Sequence, residues 1–103
     1  MIYVIATIQL HPGKRPEFLK AFHALVPQVV AEKGCLSYEP TVDADVDMSV
    51  VGERRDDVVT VVEKWESIDA LQDHLMAPHM MEYRAQVKDL VAGVSLRILE
   101  PAK

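Results

Sequence analysis

Residues 2–10, IYVIATIQL, alternate with a period of two. Ile2, Val4, Ala6, Ile8 and Leu10 fall on one side of a strand. The other side, Tyr3, Ile5, Thr7 and Gln9, is also largely apolar, which predicts a sheet covered on both faces. After a His11-Pro12-Gly13 turn the period changes. Phe18, Leu19, Phe22, Leu25, Val26, Val29 and Val30 recur at helical spacing, with Pro16 in the first turn, where its missing N–H costs nothing. Pro27 lies inside this pattern and predicts a kink; Gly34 predicts a C-terminal cap. CLSYEPTV, 35–42, reads as a second strand, and Pro40 places it at a sheet edge. An irregular acidic stretch follows. VVTVVEKWE, 58–66, is the strongest strand in the chain. Ser67 is placed to cap the next helix, with Asp69 near its positive end and Ile68, Leu71 and Leu75 as its core stripe. Pro78 restarts the chain as a further helical segment. Met80, Tyr83, Arg84, Val87, Leu90 and Val91 make one mostly apolar side of that segment, Gly93 ends it, and VSLRILE is the last strand.

The order is β-α-β-β-α-β. It predicts a single α+β domain over residues 1–103 of ferredoxin-like type: a four-stranded antiparallel sheet with the helices on one face. Helices on one face leave the other uncovered, so an apolar second face must meet a partner subunit or a ligand.

Composition narrows the partners. A chain of 103 residues is long enough for one domain and too short for two. Net charge is −5, and no basic run exceeds Lys14-Arg15 or Arg54-Arg55. Nothing here would neutralise a row of phosphates, so nucleic acid and anionic membranes are poor partners. The N-terminal apolar run is too short to span a bilayer and lacks a basic leader. Cys35 is the only cysteine, which rules out an intrachain disulfide and points to a reducing cytoplasm. Its expected role is that of a small buried hydrophobe.

The chemistry concentrates in residues 63–83, which hold the only Trp and two of the four His. His74 and His79 are five apart, a rotation of roughly 140° on a continuous helix, so they would not share a face. With no Cys and no clear third ligand nearby, no metal site is expected. His74 falls at the edge of the apolar stripe, and His79 opens the segment after Pro78; both positions also suit structural, hydrogen-bonded histidines. Glu63 shares a strand face with Val59, Val61 and Trp65, so its carboxylate needs a partner, for which a Lys, Arg or His would serve. Asp43, Asp45 and Asp47 imitate the opening of a calcium loop, but Met48 and Arg54 stand where the loop needs Gly and Glu. His11 and His23 are assigned to the surface.

Three motifs in order on this framework, EKGCLSYEP (32–40), VVEKWES (61–67) and ALQDHLMAPHMMEY (70–83), resemble the antibiotic biosynthesis monooxygenase (ABM) domain family, and within it the quinol monooxygenase branch. The resemblance covers essentially the whole chain. It implies a homodimer whose sheets face each other in a dimeric α+β barrel, with a pocket between each sheet and its helices. It also implies oxidation of a small quinol-like or polycyclic aromatic by O2 without cofactor, metal or flavin. On that reading His79, His74 and Glu63 are the catalytic candidates. A histidine near neutral pKa at an apolar pocket takes a phenolic proton, and the resulting anion passes an electron to O2. Glu63 would orient a histidine, Trp65 would stack on the substrate ring, and Tyr38 and Tyr83 would donate hydrogen bonds to it.

The same scaffold carries other chemistry, so two alternatives stay open. One is an isomerase of a small phosphorylated metabolite, with Arg84 and Arg97 as phosphate ligands; the other is a non-catalytic binding or stress-response dimer. Haem-degrading relatives carry an Asn on the first strand, and this chain has no Asn at all. The segment from Val46 to Asp57 is longer than in short relatives and is expected to form an extended hairpin or a loop that reaches the partner subunit.

Overall fold

The period-two stretch forms β1 (Ile2–Leu10), a central strand. The structure is a computed structural model that describes all 103 residues. α1 (Arg15–Val30), β2 (Cys35–Thr41), β3 (Val58–Trp65), α2 (Ile68–Leu75), α3 (Pro78–Val87) and β4 (Val91–Leu99) follow. The sheet is antiparallel throughout in the order β2-β3-β1-β4, so β2 is an edge strand, as Pro40 requires. Ile2 lies opposite Trp65 and Ile8 opposite Val59, which puts the apolar sides of β1 and β3 on one face. Phe18, Phe22, Leu25 and Val29 of α1, Leu71 of α2, and Met80 and Val87 of α3 close over that face to complete the core. This is the ferredoxin-like α+β fold with its helices on one face.

Pro27 lies inside α1, as expected, and the helix continues past it. The carbonyl that Pro27 leaves without a partner belongs to His23, which is exposed, so water can satisfy it. Several other expectations need correction. The cap of α1 is Ala31, and Gly34 instead takes a positive φ of 87° in the turn that feeds β2. Ile68 is not in the core stripe of α2: it is 45% exposed, whereas His74 is 2% exposed and faces inward beside Leu71. α3 stops at Val87, and a tight turn closed by Leu90 N–H to the Val87 carbonyl starts β4 early, leaving Gly93 inside the strand opposite Gln9. Cys35 is half-buried rather than buried. The segment after β2 contains no strand, so it is not a hairpin. Arg55 ties it back with a bidentate grip on Asp43, Nε–Oδ2 2.8 Å and Nη2–Oδ1 2.8 Å, which holds the Asp43 carboxyl well below the usual carboxylate range. No helix is long and apolar enough to cross a membrane.

The helix layer ends before β4. Val94, Leu96 and Ile98 pair with Ile8, Ala6 and Val4 and so share the core-facing side of the sheet, yet they are 62%, 44% and 50% exposed. The opposite face of the sheet is mixed rather than uniformly apolar. Tyr3, Ile5, Val62 and Leu99 alternate there with Thr60, Lys64 and Arg97.

Candidate active site

A cavity of about 430 Å³ lies between the core-facing side of the sheet and the helices, and it reaches the uncovered strand β4. Twelve of its 16 lining residues are hydrophobic, with Ala6, Ile8 and Val61 of the sheet among them. Set into this lining are Glu63 of β3, His74 of α2, Arg84 and Lys88 at the end of α3, and Tyr38 and Tyr83. A space of this size and polarity suits a small, flat, mostly apolar molecule.

His74 reaches the cavity because of how α1 and α2 end. Ser67 accepts a hydrogen bond from Ala70 N–H and starts α2; Leu71 and His74, three residues apart, then share its inward face. The turn after α1 brings Glu32 to the same place. α2 stops at Leu75, Ala77 is extended, and Pro78 opens α3 in a new direction. That break undoes the rotation expected of a continuous helix. His74 Nδ1 lies 2.9 Å and His79 Nε2 2.7 Å from the same Glu32 oxygen. The expectation that no third group stands near the two histidines is thereby corrected. The three ligand atoms lie within 4.8 Å of one another, a spacing that could hold a divalent ion. As they stand, they satisfy one another by hydrogen bonds.

An ionised carboxylate only accepts, so the histidine nitrogens that face Glu32 must each carry a proton. For His74 this selects the Nδ1–H tautomer and leaves Nε2 as the proton acceptor. Burial lowers the His74 pKa, and this outweighs the Glu32 carboxylate, which pulls the other way. A neutral ring with a free nitrogen at an apolar cavity is the state that a general base requires.

Glu63 has a different partner from the one expected. Its Oε1 accepts the indole N–H of Trp65 at 2.9 Å and pairs with no histidine. Burial, reinforced by repulsion from Glu32 and opposed by the Trp65 hydrogen bond, raises its pKa to about 7. Trp65 is fully buried and does not line the cavity, so it does not offer a stacking surface to a ligand there. It backs the His74 ring instead, with centroids 4.6 Å apart, while Tyr38 meets the same ring edge-on at 5.4 Å. Burial pushes the phenols of Tyr38 and Tyr83 well above their ordinary range, so both remain neutral donors.

The sequence candidates therefore divide. His74, Glu63, Tyr38 and Tyr83 meet at one cavity. His79 lies beyond Glu32 and lines a separate crevice between α1 and α3. Arg97 projects from the opposite face of the sheet, opposite Ile5. Glu32 was missed as a site residue although it opens the first quoted motif. Lys88 was missed entirely; its spacing of four from Arg84 on one helix face was the available signal.

The family described as antibiotic biosynthesis monooxygenase matches residues 1–86 of the chain. A protein of Escherichia coli (strain K12) bearing the name "Probable quinol monooxygenase YgiN" is 41% identical over 103 residues, 98% of either chain. Among solved structures, Rv0793 from Mycobacterium tuberculosis superposes with a TM-score of 0.79 at 29% identity, covering 99% of this chain and 95% of that one. PA3566 from Pseudomonas aeruginosa gives 0.81 at 24% identity over 99% and 94%, a likeness of fold alone.

Proposed function

Because this chain belongs to the antibiotic biosynthesis monooxygenase family, we propose that it is a cofactor-independent monooxygenase that oxidises a quinol-like or polycyclic aromatic substrate with O2 in the cavity beneath His74. The observation that carries this reading is the buried His74 ring, held through Nδ1 by Glu32 and lining a largely apolar space of about 430 Å³.

His74 Nε2 takes the proton of a ring hydroxyl. Glu32 stabilises the imidazolium that forms, and His79 supplies that carboxylate with a second N–H. The substrate anion is then electron-rich enough to reduce O2 directly. The substrate supplies all the electrons: one oxygen atom enters the ring and the other leaves as water, so a hydroquinone and O2 give a hydroxyquinone and water. Glu63, half-ionised near neutral pH, accepts the second proton or returns one to the departing oxygen. Tyr38 and Tyr83 orient the substrate oxygen, and the apolar walls exclude water from the anion.

The active form is proposed to be a homodimer in the cytoplasm. The exposed core-facing residues of β4 support the dimer, because a second copy would close the open side of the cavity. The lone cysteine is in keeping with a reducing compartment. An isomerase of a phosphorylated metabolite draws support from Arg84 and Lys88 at the cavity, but the predominantly hydrophobic lining favours an aromatic ring over a sugar.

Oxygen uptake by chelator-treated protein against a panel of hydroquinones and naphthols tests the reading. Uptake is expected in the wild type, a fall of at least about 100-fold in His74→Ala, and a smaller fall in Glu32→Gln, which leaves the ring but loosens its tautomer. Equal uptake by wild type and His74→Ala would remove His74 as the base.

A further inference from the structure

Arg84 and Lys88 are the two cations of the cavity, and neither takes part in any ion pair of the molecule. Most Lys and Arg of the chain are likewise without an ion pair; what distinguishes these two is that they border a largely apolar cavity in a chain of net charge −5. They are four residues apart, and Lys88 keeps helical angles as the cap of α3, so both side chains leave the same face of one helix. Arg84 is also held in place. Arg84 Nη2 donates to the Leu75 carbonyl at 2.6 Å, which ties the guanidinium to the end of α2 and leaves its remaining N–H groups free. Leu75 is the residue after His74, and His74 and Arg84 line the same cavity.

We propose that the substrate is an aromatic acid: a ring that carries a carboxylate close to the hydroxyl that His74 deprotonates, with the carboxylate held by Arg84 and Lys88. This rests on the reading of the cavity as the substrate site and narrows it. A carboxylate matches the planar fork of a guanidinium, and Lys88 adds a second, movable donor. The apolar walls receive the ring, and the two polar poles fix which hydroxyl faces His74. Arg97, on the opposite face of the sheet, takes no part.

Anaerobic calorimetric titration with 1-hydroxy-2-naphthoate and with 1-hydroxy-2-naphthamide separates charge from shape without turnover. The expected result is a preference for the acid of about tenfold, near one charge-assisted hydrogen bond, which shrinks at high salt. It disappears in the Arg84→Gln, Lys88→Gln double variant. Lys88→Gln alone, at an exposed position that bonds nothing in the fold, should lose part of the preference. Equal affinity for acid and amide, or a preference that survives the double variant, would overturn the assignment and leave the aromatic site standing. Failure of both compounds to bind would overturn the assignment and the aromatic reading of the cavity together.

Discussion

Glu63 carries the clearest thermodynamic mark of the site. Its carboxyl has an ordinary pKa of 4.5 and is raised to about 7 in the fold, so the folded chain holds a proton that the unfolded chain has already released. The folded state therefore binds more protons between these values, and stability falls as pH rises through that window. Below it both states are protonated and nothing is lost. Above it the cost is about 3 kcal/mol at about 1.4 kcal/mol per unit. Glu63→Gln keeps an oxygen for the Trp65 N–H and has no proton to lose. Denaturant titrations should show the variant no more stable than the wild type at pH 4 and about 2–3 kcal/mol more stable at pH 8. Parallel pH profiles for the two proteins would contradict the shift. A carboxylate this costly to bury is retained against stability, as expected of a group that exchanges protons with a ligand.

At the scale of elements, the alternation in β1 and β3 was legible because burial repeats every second residue and the partner strand supplies the same signal. The face of α2 was misread for a physical reason. His74 occupies a core position that a polar residue can hold only with a partner, and that partner, Glu32, is 42 residues away in sequence. No local spacing displays such a pairing, nor the break at Pro78 that turns His79 toward the same oxygen. The motif resemblance did locate both histidines, but not which of them faces the cavity. The turn that delivers Glu32 can be tested through Gly34. Its φ is 87°, and an added Cβ would stand 2.6 Å from the Ala70 Cβ in the first turn of α2. Gly34→Ala should cost about 2–4 kcal/mol of stability and lower activity by moving Glu32 away from His74. Gly13→Ala is the control: its φ is 78° with nothing within 4 Å, so it should cost only about 1 kcal/mol in chemical denaturation. Equal losses would show that the contact with α2 is unimportant.

For the whole molecule, one sheet and one layer of helices make a slab of 39 × 37 × 20 Å. Its radius of gyration, 14.3 Å, exceeds the roughly 13 Å of a compact chain of this length. The exposed loop at 42–57 adds to that spread, and the core is left open along β4. A second copy would cover that strand and seal the cavity, so light scattering at micromolar protein should return twice the 11.6 kDa chain mass; the mass of a single chain would contradict the dimer. The central claim is the transfer of one oxygen atom from O2 without a metal or organic cofactor. The most direct measurement is turnover under 18O2 by protein freed of metal with a chelator, with the product analysed by mass spectrometry. One 18O atom per product molecule, with the other recovered in water, is the expected result. Product that carries no 18O, or turnover that vanishes with the metal and returns when a divalent ion is added, would contradict it.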